Sequence, residues 1–506
     1  MRVLLQGFLV LVLIAVPLSA ALADVKLPAM FSDNMVLQRD MAIRVWGWAE
    51  PGERVTVKLA DHEATATAGE AGKWLIRLGE TPAGGPFEMT VAGKNTLTLK
   101  GVLVGEVWIC CGQSNMAMGV NGVKNAEQEK AAANYPQLRM FSVPFVSAPE
   151  VQSTCGGSWS VCSPQTVGGW AAAGYFFARD LHQALGVPVG MINASYNGAL
   201  AQAFTDEATL AAVPELRPQL EQKAKVLGDY SKTVADLMRP WLGEYDKALA
   251  AGQALAPPPV PPTDPRDMRL PTALYNGMIA PLVPYGIRGA IYYQGEHNVW
   301  DSAPYATLFQ ALIRGWRRNW GEGDFPFIWV QLPNYMPVQA QPGESLWAAL
   351  REAQDQALAL PNTGEACTLD IGETANIHPP NKQEVGRRLA LIAEKMVYGR
   401  DVVCYGPRFA GMKVEGDQAR ISYTEVNGGL VAQGGGPLRG FAVCGEDKKW
   451  VWAEARIEGE MVVLSSPEVP KPVAVRYAYA DNPICNLYNQ AGLPAYQFTT
   501  DRMSKP

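Results

Sequence analysis

Histidine is scarce: the 506 residues include four, at positions 62, 182, 297 and 378, so candidates for a proton carrier near neutral pH form a short set. Charge is thin as well. The chain has 43 Lys plus Arg against 49 Asp plus Glu, a net of −6, and no basic run, which removes the electrostatic basis for binding nucleic acid or anionic membranes. Beyond residue 23 no stretch offers about 18 uninterrupted apolar residues, so no membrane-spanning helix is expected. Cys-x-x-Cys and His-x-x-x-His spacings are missing, and with them the usual ligand pattern of a structural zinc site. Neither a metal nor another cofactor is expected.

What is present begins with Arg2, an apolar stretch from Phe8 to Val16 and the small-residue site Ala21-Leu22-Ala23. This is the pattern of a signal peptide over residues 1–23, and it predicts an exported protein, periplasmic or extracellular, starting near Asp24. Cleavage there removes one positive charge and leaves 42 Lys plus Arg against 49 Asp plus Glu, a net of −7. Eight cysteines, an even number on an exported chain, point to disulfides. Cys155 and Cys162 are spaced to close a local loop, whereas the adjacent Cys110 and Cys111 are not expected to bond each other. The sequence does not set the oligomeric state.

The texture changes twice along the chain. Residues 24–100 read as short strands separated by Pro and Gly turns, as in Ile43 to Trp48, Glu50-Pro51-Gly52 and Val55 to Leu59, which predicts an N-terminal β-sandwich-like domain. Over 101–399, apolar strands alternate with longer helical patterns, predicting an α/β domain with a doubly wound parallel sheet. The expected strands are Val102 to Cys110, Val187 to Ala194, Ile287 to Tyr293, Phe327 to Leu332 and Cys367 to Ile371. Helices are expected over Ala171 to Leu185, Ser345 to Leu360 and Lys382 to Tyr398. An insertion at about 205–265 reads as a helical pair returning through the proline-rich stretch from Ala256 to Pro262. Strand-and-turn texture resumes over 400–506, a C-terminal β domain.

Four polar segments fall at predicted strand ends. Gly112-Gln113-Ser114-Asn115-Met116 follows the first strand of the α/β region, where such sheets bind ligands and where a backbone N–H can meet an oxyanion. Ile377-His378-Pro379-Pro380-Asn381-Lys382 follows the last strand. Ser195-Tyr196-Asn197-Gly198 and Tyr293-Gln294-Gly295-Glu296-His297-Asn298 supply glycine and amide donors, the parts an oxyanion hole needs. Of the histidines, His62 lies in the N-terminal β segment and His182 within a helix; His297 and His378 lie in strand-end loops. Each segment alone reads equally well as a turn; their coincidence on one sheet edge marks a site.

With these blocks in view, Gly105 to Met116, Leu274 to Ile279, Tyr293 to Glu296 and Ile377 to Leu389, the chain resembles the sialate O-acetylesterase family of SGNH hydrolases. The resemblance spans nearly the whole chain after residue 23. It implies a serine esterase that removes O-acetyl groups from a carbohydrate through an acetyl-enzyme. Ser114 would be the nucleophile and His378 the base, with oxyanion donors from the Ser114 and Gly198 N–H groups and the Gln294 side chain. Asn197, Tyr196, Tyr293 and His297 would meet substrate, and Trp300 is a further candidate for sugar stacking. Three positions depart from the pattern: His297 and Asn197 stand where the family often has Ser and Gly, and where many SGNH hydrolases carry aspartate three residues before the histidine, this chain has Ala375. Glu296 is the first candidate for the missing acid, with Asp370, Glu373 or a backbone carbonyl as alternatives. The resemblance leaves open a plant cell-wall glycan such as xylan or xyloglucan as substrate, or an inactive carbohydrate-binding relative.

Overall fold

The computed structural model describes residues 24–254, 257–261, 263–301 and 303–501; the expected signal peptide and Ala256 and Pro262 of the proline-rich return lie outside these. At the centre are six parallel strands, β1 (Thr96–Gly112), β2 (Leu138–Ser142), β3 (Val189–Ser195), β4 (Gly289–Tyr293), β5 (Phe327–Val330) and β6 (Thr363–Ala366). They lie in the order β6-β5-β4-β1-β3-β2, with a short antiparallel strand, Trp159–Val161, on the β2 edge. Because β1 is first in sequence but central in space, the connections diverge on either side of it, and its C-terminal end is the switch point at which α/β sheets place ligands.

β4, β5 and the second half of β1 read as nearly continuous apolar runs because both faces are covered. Alternation sends Ile109, Cys111, Tyr292 and Trp329 into one core and Trp108, Cys110, Ile291, Tyr293 and Ile328 into another. The second core is closed by helices α1 (Ala172–Leu185) and α5 (Lys382–Met396), the first by α3 (Tyr305–Trp320) and α4 (Leu346–Asp355). The N-terminal strands form a β layer that joins the central sheet directly, since β1 runs unbroken through the expected division at residue 100 and its first half pairs with Gly84–Ala92. Residues after 400 build antiparallel sheets around a third core.

Three expectations are corrected. The last parallel strand is Thr363–Ala366, not Cys367 to Ile371. After Ala366 the chain leaves the sheet, and Cys367 and Leu369 pack into the C-terminal core, so their apolar character serves a different layer. Within the insertion, a short helix over Glu207–Ala212 precedes one long helix, α2 (Arg217–Ala250), in place of the expected helical pair; no turn interrupts α2, and Pro240 is carried within it. The expected disulfides do not form, for all eight cysteines are free. Cys155 and Cys162, the pair with the most suitable spacing, belong to the cores on opposite sides of the sheet.

The helix that follows His378 is placed by close packing. Gly386 on α5 sits against α1, and a Cβ there would fall on the Phe176 side chain and 2.7 Å from the Phe177 backbone nitrogen. Gly386→Ala is therefore expected to destabilise the protein by about 1–3 kcal/mol through overpacking, read as a lower denaturation midpoint at unchanged m-value. An unchanged midpoint would show that the two helices can separate without cost.

Candidate active site

Parallel register brings three loops out of the sheet at one level: Gly112 is paired with Ser195 on one side and with Tyr293 on the other. Gly112 has φ 143°, and a Cβ would collide with the Tyr293 carbonyl, so only glycine allows β1 to turn there. The next residues begin a short helical turn, Ser114–Ala117. As its first residue Ser114 has no intrahelical acceptor for its N–H.

Across the edge, His378 Nε2 lies 2.7 Å from Ser114 Oγ. Burial first, and the nearby Lys382 second, hold the imidazole below its ordinary value of 6.5, which favours the neutral, proton-accepting ring. The segment carrying it is held by backbone anchors. His378 N donates to Asn376 Oδ1 at 3.0 Å, Ile377 O accepts from Asn115, and Pro380 O accepts from the Lys124 amide at 2.9 Å. Pro379 and Pro380 restrict the same stretch further through their fixed φ.

None of the three carboxylates considered for the missing acid pairs with this ring. Among the described residues no carboxylate oxygen hydrogen-bonds to either His378 nitrogen. Glu296 is turned toward Asn115 instead, with Oε1 2.5 Å from Asn115 Nδ2. Asp370 is engaged in a fork with Arg388 at 2.6 and 2.7 Å and accepts from Tyr488 at 3.0 Å; burial pushes it up, but the arginine outweighs this and holds it below the usual range. Glu373 is exposed and accepts from Asn376 at 3.1 Å.

Asn115, which the motif contained but to which no role was given, is the centre of the arrangement. Its Nδ2 donates to Glu296 Oε1 and to Ile377 O at 2.9 Å, while its Oδ1 accepts from Lys382 Nζ at 2.6 Å. Asn115, Glu296 and Lys382 are all buried. Burial pushes the Lys382 ammonium down to about 7, against the opposing pull of the Glu296 carboxylate, and burial likewise raises Glu296 despite the Asn115 bond. Lys382 also sits 5.1 Å above the Tyr293 ring.

That contact corrects the role expected for Tyr293. The ring is fully buried on the α5 side of the sheet, where the alternation of β4 sends it, and so it supports Lys382 from below without reaching substrate. Gln294 is corrected too. Its side chain is fully buried, and its amide nitrogen already faces Asn298 Oδ1 at 2.7 Å, Ala199 O at 3.1 Å and Gln113 Oε1 at 3.3 Å. With Tyr305 donating to its oxygen at 3.0 Å, it braces the turn and has no hydrogen left for a bound oxyanion. Gln113, also without an assigned role in the sequence reading, helps in this, its Oε1 receiving the Gly295 and His297 amides at 3.4 and 3.3 Å.

The remaining expected residues do reach the edge. Gly198 is left-handed at φ 70°, and among the described residues its N–H, like that of Ser114, meets no protein acceptor. A Cβ at Gly198 would lie 3.3 Å from Met268 Cε and 3.7 Å from the His297 ring. Asn197, His297 and Trp300 are exposed, and Tyr196 is half-buried. The Tyr196 N–H donates to Gly112 O at 3.0 Å, which ties its turn to the base of the Ser114 loop.

The chain is similar to known carbohydrate esterases. Residues 267–395 match the family model for carbohydrate esterase, sialic acid-specific acetylesterase. The chain is 31% identical over 420 residues to rat sialate O-acetylesterase, covering 75% of each chain, and 26% identical over 513 residues to the human protein, covering 92% of this chain and 91% of that one. The crystal structure of a carbohydrate acetylesterase from Xanthomonas citri superposes with a TM-score of 0.81 at 36% identity, covering 95% of this chain and 100% of that one.

Removing the Asn115 amide would leave Glu296 and Lys382 buried without their shared partner and free Ile377 from the Ser114 loop. Asn115→Ala is expected to cost about 2–4 kcal/mol in stability and at least about tenfold in turnover of an acetyl ester, since small displacements of reacting groups are costly. Denaturant titration and steady-state kinetics check this; a variant with parental stability and kinetics would show the hub to be dispensable.

Proposed function

The chain belongs to the sialate O-acetylesterase family and is a carboxylic ester hydrolase that acts on O-acetylated carbohydrate, and from that premise we propose that Ser114 and His378 carry out a two-step acetyl transfer. His378 Nε2 takes the Ser114 proton as Oγ attacks the acetyl carbonyl. The tetrahedral oxyanion is met by the Ser114 and Gly198 N–H groups, and His378 then returns the proton to the departing sugar oxygen. Water attacks the acetyl-serine with His378 again as base, releasing acetate and restoring the hydroxyl.

The observation that carries this reading is the 2.7 Å contact between Ser114 Oγ and His378 Nε2. No carboxylate assists the imidazole in this scheme; the ring is oriented by its anchored loop and kept neutral by burial. Glu296 and Lys382 act one shell out, through Asn115. Tyr196, Asn197 and His297 line the approach for the sugar. The basic residue, apolar stretch and small-residue site of the first 23 residues support export, to the periplasm or beyond it.

Ser114→Ala and His378→Ala are each expected to lower acetyl ester turnover by at least about 1000-fold, and the double variant to be little worse, because the two side chains act as a unit. His297→Ala should be far milder. A more damaging loss at His297 than at His378 would require the roles to be exchanged. The pH profile offers an independent check. The base must be neutral, so kcat/KM falls as His378 protonates, and its depressed value puts the acidic limb below pH 6.5. A limb above 6.5 would indicate an acidic partner on the ring and contradict the dyad.

A further inference from the structure

We propose that Asn482, in the C-terminal β domain, is a positioning residue for His378. This deepens the esterase reading and rests on it: with no carboxylate on the ring, the geometry of the base depends on how its loop is held. Residues 372–376, which lead into that loop, are held from outside the α/β domain. Asn482 lies between the strands Ala474–Tyr477 and Leu487–Asn489 and is buried. Its Nδ2 donates to Thr374 Oγ1 at 3.0 Å and to Met336 O at 2.6 Å, and its Oδ1 accepts from Asn334 Nδ2 at 2.8 Å. Both hydrogens of the amide and its oxygen are thus used. All three partners lie on loops beyond the C-terminal ends of sheet strands, Thr374 after β6 and the other two after β5.

The two loops are joined to each other as well as to Asn482. Asn334 Oδ1 accepts from Gly372 N at 2.7 Å, a Cβ at Gly372 would collide with the Asn334 carbonyl, and Tyr335 pairs with Glu373 in a parallel bridge. Asn376, two residues beyond Thr374, donates to Glu373 and accepts the His378 N–H. One turn of chain therefore separates the Asn482 bond from the amide of the base. Met336 stands at φ 76°, a left-handed conformation that a side chain of this kind keeps only when its surroundings hold it, and the Asn482 amide grips its carbonyl. The Asn482 backbone is itself fixed. Tyr335 N donates to Asp481 O at 3.1 Å, and the buried Arg351 on α4 donates to Ala480 O at 2.9 Å, Asp481 O at 3.1 Å, Leu332 O at 2.8 Å and Pro333 O at 3.1 Å. Apolar contact would suffice to keep a domain attached; directional bonds at this density set where the amide lies and which way it points.

The test follows turnover of 4-nitrophenyl acetate by the full-length protein. Asn482→Ala is expected to lower kcat at least about tenfold with KM within about threefold, since a displaced base slows the chemistry without touching the substrate. Thr374→Val removes the acceptor on the His378 loop and leaves Asn482 and its domain in place. It should lower kcat at least about threefold, and the double variant should be little worse than Asn482→Ala alone. In a His378→Ala background, Asn482→Ala should have no further effect, because its path to the reaction runs through the ring. Tyr496→Phe is the control for domain attachment: it removes the bond from the C-terminal domain to Glu365 O on β6 and should lower the denaturation midpoint with kcat within about twofold. If Asn482→Ala does not fold, Thr374→Val decides. Parental kcat in Thr374→Val, an Asn482→Ala loss that persists undiminished without His378, or an equal kcat loss in Tyr496→Phe would overturn the proposal. Failure of the esterase reading itself has a different signature: hydrolysis of 4-nitrophenyl acetate that survives Ser114→Ala.

Discussion

A single amide side chain holds the chemistry of this protein together. Asn115 follows Ser114 directly, and its three hydrogen bonds reach Glu296 on the β4 loop, Ile377 beside His378 and Lys382 at the start of α5. The two hydrogens of the amide and its oxygen are all used, so the group is held in one orientation by a negative partner on one end and a positive partner on the other. The loops that carry Ser114, Glu296 and His378 come from chain segments up to 264 residues apart, and this bond set makes their separation a local property.

Such a device answers a specific deficit. In a hydrolytic triad the acid does two things for the histidine: it orients the ring and stabilises its charged form. In the dyad proposed for this protein, Ala375 stands where the family pattern expects the acid, and only the first of these tasks finds a substitute. Orientation passes to the backbone, through the prolines after His378 and the anchors at Ile377, Asn376 and Pro380. Stabilisation of the charged ring is not taken over: burial and Lys382 favour the neutral imidazole, and the Glu296 and Lys382 charges oppose each other across Asn115. Burying that pair is costly on its own, and close packing of α5 against α1 at Gly386 fixes Lys382 in place.

The central strands were legible because a strand covered on both faces is largely apolar, as the second half of β1 and β3, β4 and β5 are. β6 was not legible. Its residues Thr363, Gly364, Glu365 and Ala366 carry a polar signal, and the apolar run that follows belongs to the C-terminal core. The same logic explains Tyr293, which reads as a substrate contact because it is an aromatic flanking the Gln294 segment but is turned into the core by strand alternation. The site was legible where chemistry constrains residue type: the serine after β1, the glycine at 198 and one of four histidines. Asn115 and Lys382 lay within the quoted segments, yet nothing in a linear sequence reveals that a lysine and a glutamate 86 positions apart converge on one amide.

The sequence by itself determined the layer architecture and the edge at which the site forms, because these follow from hydrophobic period and from where polar loops leave the strands, while the pairing of Ser114 with His378 was what the family resemblance implied. Only the tertiary structure decided the partners. Cysteines that read as disulfides became free thiols when the sheet came between Cys155 and Cys162. Glu296 became a partner of Asn115 instead of the imidazole, and Gln294 became a brace instead of a donor. In each case the residue type permits several bonds of similar strength, and the choice among them is made by which groups the packed strands and helices bring within about 3 Å of one another.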